Sequence, residues 1–211
     1  MRPLCFVLIP FGRKTIPSGR TVDFDAVYSA LIRPAIEAAG MEALREDGEA
    51  VGGTIHKAAH ERLILCDFAV ADLTLASPNV FYELGLRHGR RPATTVMLFG
   101  DTGALPFDVA PLHTLRYELV AGGVPADPAA AAAALTRLLN EARDGQDAPR
   151  CDSRVFQLLE DHVVPDIARL KTDVFREQVC YALEARNTLA AARRAGKDAV
   201  QAAALTLGDL S

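Results

Sequence analysis

The sequence predicts an α/β protein: a flavodoxin-like or Rossmann-like parallel sheet of about five strands with flanking helices, followed by an all-α C-terminal segment. Three observations carry that expectation. Short apolar runs alternate with longer amphipathic stretches from Leu4 to about residue 145, the pattern of βαβ units whose right-handed crossovers build a parallel sheet. The run Leu4–Ile9 is continuously apolar and Phe68–Leu73 is a short apolar run closed by Asp72 and Thr74, as in strands buried on both faces. From Ser153 onward strand signals vanish.

Taken in order, Leu4–Ile9 reads as the first, central strand, with Pro10-Phe-Gly-Arg-Lys14 at its carboxyl end. The Pro/Ser/Gly-rich stretch Thr15–Val22 reads as a long loop. Asp23-Phe-Asp25 opens a helix to about Ala39, with Val27, Leu31, Ile32, Ile36 and Ala39 as its apolar stripe and Gly40 as its stop. Pro34 lies inside that stripe and should kink the helix or mark a boundary. Met41–Arg45 is a second strand, ending in the acidic turn Glu46-Asp-Gly-Glu49. Gly52-Gly53-Thr54 begins a helix to about Cys66, in which Ile55, Ala59, Leu63 and Cys66 pack. The third strand ends at Asp72, a helix runs to about Arg91, Thr94–Phe99 is a fourth strand, and Thr114–Leu119 alternates like an edge strand. Pro128–Arg143 is an alanine-rich helix, and Gly145-Gln-Asp-Ala-Pro149 reads as a linker.

These elements divide the chain into an α/β domain, residues 1–145, and a helical segment, 150–211. In the second, a short helix ends near Pro165, a long one covers about Asp166–Arg194, and another spans Ala199–Leu207. A helix pair ending without a partner reads as the start of a helical repeat array, one that docks the rest of a longer chain or a protein partner.

Composition removes several function classes. Half of the 211 residues are hydrophobic, enough for a sizeable core, and the formal charge of -4 offers no basic field for nucleic acid. No apolar run approaches the roughly 20 residues that span a membrane, and the N-terminus has no signal-peptide pattern. Cys5, Cys66, Cys151 and Cys180 show no ligand spacing and read as reduced thiols of a cytoplasmic protein. His56 and His60 stand at i, i+4, but no third ligand accompanies them, so no metal is expected. The first strand is not followed by GxGxxG, which argues against dinucleotide redox chemistry.

The richest stretch is Ala71–His88. A strand ends at Asp72, Ser77 stands at an N-cap, and Pro78 takes the first helical position. Asn79, Tyr82 and Glu83 follow at i, i+3 and i+4 and share a helix face, with Asp72 placed to look toward them. Ligands of open α/β sheets bind outside the carboxyl ends of the strands, so Pro10–Lys14 and Asp72–Glu83 are expected to share a cleft. Gly12 permits close approach to the backbone, and Arg13 and Lys14 supply charge for a phosphate; an ordinary loop with solvated basic tips is the alternative. A glutamate beside Asn79 and Tyr82 suits N-glycosidic chemistry, in which a carboxylate attacks an anomeric carbon or stabilises an oxocarbenium ion. Alternatively, Glu83 salt-bridges a helix end.

The pieces Val7-Leu-Ile-Pro-Phe-Gly12, Ala71-Asp-Leu-Thr74, Pro78-Asn-Val-Phe-Tyr-Glu-Leu-Gly85 and Arg87-His88 resemble the nucleoside 2-deoxyribosyltransferase-like and TIR-like proteins. Together with Gly19-Arg-Thr-Val-Asp-Phe-Asp-Ala-Val-Tyr28, Ile55-His-Lys57 and Leu105-Pro-Phe-Asp-Val-Ala-Pro-Leu112, they look most like the TRAFs-binding domain of the MAP3K family and its bacterial relatives, in which tetratricopeptide-like repeats follow. The resemblance implies Glu83 as the catalytic residue, Asp72 and Asn79 as substrate contacts, and Pro10, Phe11, Gly12 and Arg13 as the pocket-lining loop. With the residue pattern it makes Glu83 and Asp72, which would orient the sugar hydroxyls or the glutamate, the expected catalytic pair, and adds Tyr82 to the substrate-binding residues. It implies NAD or a nucleoside as substrate or ligand, no resident cofactor, and bacterial stress or phage-defence signalling as the setting. It also implies a homo-oligomer, because TIR-like sites are often completed between protomers. The MAP3K branch is known for regulation and scaffolding, so a non-catalytic nucleotide-sensing domain is the second expectation.

Overall fold

The computed structural model describes residues 2–15, 19–45, 55–75, 77–91, 93–100, 114–145 and 151–159, with a few shorter stretches between 109 and 200; for 55–59 only the backbone is described. Two compact units divide the chain, Met1–Pro165 and Asp166–Ser211. In the second, residues 191–195 are helical and end at Gly196, as the sequence suggests; the remainder of its expected helices lies almost wholly outside the described residues. So do the acidic turn Glu46–Glu49, Gly52–Thr54, most of Leu105–Pro111 and most of the Gly145–Pro149 linker.

The first unit is organised by five parallel strands: β1 (Leu4–Leu8), β4 (Glu42–Arg45), β5 (Phe68–Asp72), β6 (Thr95–Gly100) and β7 (Thr114–Tyr117), in the order β4-β1-β5-β6-β7. In β1, β5 and β6 every residue is buried. That burial is why, apart from Asp72 and Thr95, their sequence is apolar without alternation. Two further strands, β2 (Arg13–Thr15) and β3 (Thr21–Asp23), form an antiparallel hairpin. The sequence reading placed a plain loop here, because Arg13, Lys14 and Thr15 are all exposed and carry no apolar signal.

The first helical layer runs from α1 (Phe24–Val27) through a π-helical turn, Tyr28–Ile32, into α2 (Arg33–Ala38). Asp23 caps it by accepting the Ala26 N–H at 3.0 Å. The expected kink at Pro34 takes a specific form: the wider turn closes with the Arg33 N–H on the Tyr28 carbonyl, and Pro34, which has no N–H to give, sits in the first turn of α2. Val27, Leu31, Ile32 and Ile36 are fully buried against Cys5, Val7, Phe68, Val70 and the Leu135 and Leu139 side chains of α5 (Pro128–Asp144). Strand alternation turns Leu4, Phe6 and Leu8 to the other face, where α3 (Ile55–Leu65) and α4 (Pro78–His88) lie, with Leu63, Val80 and Leu84 buried.

The N-terminal edge of the sheet is held by two arginines. Arg87, fully buried, donates from Nη1 to the Leu63 and Cys66 carbonyls at 2.8 and 2.7 Å, and from Nη2 to the Asp67 carbonyl at 3.1 Å. Arg91 reaches the Ile64 and Leu65 carbonyls at 3.1 and 3.2 Å. The end of α3, where carbonyls run out of helical partners, is thereby satisfied by α4 and the turn after it. Thr94, at φ 77°, is the positive-φ non-glycine among the described residues; its hydroxyl donates to the Asp67 carbonyl at 2.7 Å and accepts from Arg87 at 3.1 Å, bonds that hold a conformation β-branched residues avoid. The stretch leading into α6 (Arg154–Leu158) docks on the same edge. Asp152 accepts the Thr95 N–H at 2.6 Å, and the buried Ser153 hydroxyl donates to the His88 carbonyl at 2.7 Å. No helix among the described residues is long and apolar enough to cross a membrane.

Candidate functional site

Strand order fixes where the candidate residues meet. From β1 the chain moves outward to β4, then returns to the other side of β1 to make β5, so β1 and β5 flank the switch point at which open α/β sheets leave a crevice. Leu8 pairs with Ala71, so the segments that leave these two strands, Ile9–Gly12 and Leu73–Leu75, begin side by side. The first carries the candidate loop and the second leads into α4.

On α4, Ser77 occupies the N-cap and Pro78 the first turn, as expected, but the Ser77 side chain makes no capping bond. Val80, Leu84, Arg87 and His88 face inward. Asn79 and Tyr82 are exposed and Glu83 is half-buried beside them, so the i, i+3, i+4 face exists. Tyr82 leans toward α3, its ring edge-on to His60 with centroids 6.4 Å apart.

Asp72 is engaged elsewhere. It shares strand parity with Phe68 and Val70, which pack on the α2–α5 side of the sheet, opposite α4. Its carboxyl is buried there, accepting the Tyr117 hydroxyl at 2.7 Å and both the N–H (2.9 Å) and the hydroxyl of Thr74. Thr74 Oγ1 also lies 3.0 Å from the Tyr117 hydroxyl and accepts the Gly100 N–H at 2.8 Å. Burial pushes the Asp72 carboxyl above its usual range, with the Thr74 and Tyr117 hydrogen bonds pulling the other way; burial likewise pushes the Tyr117 phenol up. The expected view from Asp72 across the loop to Glu83 is therefore replaced by a closed triangle that ties β5 to β6 and β7.

At the end of β1, two residues with no place in the sequence reading of the site shape the loop. Arg45, the last residue of β4 and only 8% exposed, donates from Nη2 to the Pro10 carbonyl at 3.0 Å and to Asp25 Oδ1 at 2.7 Å. Its guanidinium carbon lies 4.8 Å from the ring centres of both Phe11 and Tyr28, a double cation–π contact. Asp25 Oδ1 also accepts the Gly12 N–H at 3.2 Å. Gly12, at φ 64°, adopts the left-handed turn that glycine allows. Arg45 Nε is buried without a hydrogen-bond partner among the described residues. An arginine closing a strand reads in sequence as a solvated end, and nothing local signals its burial between two aromatic rings.

Arg13 does not stay with Pro10, Phe11 and Gly12. It is the first residue of β2, pairs through Nε with Asp23 Oδ2 at 2.8 Å, and faces the β2–β3 hairpin. The Ala26 N–H first, and Arg13 second, hold the Asp23 carboxyl below its usual range. Among the described residues no group of histidine, cysteine and acidic side chains is arranged to hold a metal ion. Cys5 and Cys66 are buried free thiols whose pKa values burial raises, that of Cys66 to about 12, so neither is an ionised nucleophile at neutral pH.

No protein-family model matches this chain, and no curated protein matches it.

Proposed function

We propose that the chain is a nucleotide-related N-glycosidase of the nucleoside 2-deoxyribosyltransferase-like and TIR-like kind, acting on NAD or a nucleoside. The observation that supports it best is the pairing of β1 with β5 at the switch point of the sheet, which starts the Pro10–Gly12 loop and the segment leading to the Asn79 and Glu83 helix from adjacent strand ends. Glu83 is the carboxylate for the reaction. It attacks the anomeric carbon, or stabilises the oxocarbenium ion, as the C–N bond breaks and the base leaves with the bonding electrons. Water then completes hydrolysis at the same carbon. Asn79 hydrogen-bonds the sugar, and the exposed rings of Phe11 and Tyr82 offer stacking surfaces. Asp72, locked to Tyr117 and Thr74, acts as a positioning residue that fixes the β5 carboxyl end.

The burial of Asp72 also favours a second reading. With that carboxyl occupied, the cleft has fewer acid–base groups than the sequence suggested, and a nucleotide-sensing or scaffolding domain of the MAP3K TRAFs-binding type needs no more than binding. Incubation of the complete chain with NAD and with nucleosides, followed by chromatography of the released base, separates the two. Release of base that Glu83→Gln abolishes supports the glycosidase; saturable binding without product supports the sensor. Turnover unchanged in Glu83→Gln overturns the assignment of Glu83.

A further inference from the structure

The sequence predicts a long loop over Thr15–Val22, whereas Thr15 and Thr21–Val22 belong to the β2–β3 hairpin, which forms one wall of a second concavity. Opposite the β2–β3 hairpin, the chain after β7 makes a tight turn, Val120–Gly123, closed by the Gly123 N–H on the Val120 carbonyl at 3.0 Å. Between the two lies a cleft of about 460 Å³, within the range of roughly 300–1,000 Å³ typical of small-molecule sites.

Three features make the cleft a built one. The Asp23 N–H donates to the Gly123 carbonyl at 2.9 Å, and Arg20 Nη2 donates to the Leu119 carbonyl at 3.0 Å, so both walls are tied together. At Gly123, with φ 77°, a Cβ would stand 2.1 Å from the Thr21 carbonyl oxygen; the hairpin and the turn meet at a distance only glycine permits. Among the described residues the lining combines Arg13, Arg20 and Thr21 with an apolar wall of Leu119 and Val120, and none of these lining residues is acidic. Asp23 holds Arg13 from behind through Nε while the Arg13 side chain remains 72% exposed. Paired guanidiniums match the oxygens of a phosphate, and the apolar wall asks for a hydrophobic body attached to it.

We propose that this cleft binds a small phosphate-bearing molecule with an apolar or aromatic body, Arg13 and Arg20 receiving the phosphate and Leu119 and Val120 the body. The site is separate from Glu83 and stands whether or not the chain is a glycosidase.

The test is an amide NMR titration of the complete chain with phenyl phosphate at constant ionic strength, with benzoate and phenol as comparison ligands. Saturable shifts at Thr21, Gly122 and Gly123 are expected, with weaker binding of benzoate and none of phenol. Arg20→Gln raises the Kd by about tenfold, the scale of one lost charge-assisted contact. Val120→Glu, at a position 46% exposed and so tolerant of a polar side chain, places a carboxylate in the cleft and abolishes binding without lowering the melting temperature. Glu83→Gln leaves the Kd unchanged. Shifts that fail to saturate, that fall on α4 instead of the hairpin, or that are unaltered in Arg20→Gln overturn the proposal.

Discussion

Arg45 Nη2 and Asp25 Oδ1 stand 2.7 Å apart, and the two residues join segments that the sequence keeps well separated. Asp25 belongs to the first turn of the α1 helix and Arg45 to the end of β4, yet together they hold the Pro10 carbonyl and the Gly12 N–H of the loop after β1. The salt bridge is half in water, since the Asp25 side chain is 61% exposed, and by itself contributes little. The stacked and buried guanidinium contributes more.

Arg45→Ala should therefore destabilise the protein by about 2–3 kcal/mol, through loss of packing between two rings and of the bond to the part-buried Pro10 carbonyl. Asp25→Asn should cost well under half of that. Urea unfolding of the two variants gives the comparison. An equal loss from both would mean that the ion pair, and not the stacking, holds the loop.

Tyr117→Phe removes the hydroxyl that donates to Asp72 at 2.7 Å and leaves a buried carboxyl with one partner fewer, an expected loss of about 1–2 kcal/mol. Asp72→Asn should cost a similar amount. Because both act on one bond, the double variant should be less destabilised than the sum, and a double-mutant cycle measures that coupling. If Asp72 is a positioning residue, Tyr117→Phe also lowers kcat for base release while leaving the pH profile of the reaction unmoved.

Much of this architecture was legible from the residues alone. Leu4–Leu8, Phe68–Ala71 and Val96–Phe99 are apolar because helices cover both faces, and that continuity reads directly as parallel sheet. The stripe Val27, Leu31, Ile32, Ile36 likewise announced its helix, and all four are buried. What stayed hidden was pairing at a distance. Asp72 meets Tyr117 from 45 positions away, and no periodicity reveals such a partner. The β2–β3 hairpin was missed because its first strand is polar and wholly exposed, with only cross-strand pairs such as Arg13 with Asp23 to define it.

Arg87→Met keeps the bulk of the buried side chain and deletes its charge and donors. The buried carbonyls of Leu63 and Cys66 would each lose this partner, while that of Asp67 keeps the Thr94 hydroxyl, and an expected loss of about 3 kcal/mol follows from removing these bonds to buried acceptors. Thermal unfolding monitors it. Amide exchange should rise in the last turn of α3, whose carbonyls Arg87 and Arg91 share.

His88 and Asp152, both beside Arg87, should give opposing pH responses. Burial lowers the His88 imidazole from 6.5 to about 4, with Arg87 adding to the effect. The folded state therefore resists its protonation, and stability is lost as pH falls from about 6.5 toward 4. Burial raises the Asp152 carboxyl to about 7, with the Thr95 N–H and Arg87 pulling down. Its folded form favours the proton, so its contribution is full below about 4 and is lost as pH rises toward 7. Over this window the two contributions largely offset. Asp152→Asn should uncover a rise in stability with pH between about 4 and 6.5, and His88→Gln a decline between about 4 and 7, each on the order of 1–3 kcal/mol. Urea midpoints at several pH values read both.

The two arginines beneath the sheet give α4 an asymmetric mechanical character. Its C-terminal end is anchored by Arg87 and, just beyond, Arg91 to the end of α3 and the base of β5, while its N-terminal end begins at Ser77 without a side-chain cap. An 11-residue helix is roughly 16 Å long, so a small tilt about the anchored end is magnified at the first turn. Measured from that anchored end, Asn79 stands in the far first turn and Glu83 at mid-helix, so the same tilt would displace Asn79 about twice as far as Glu83.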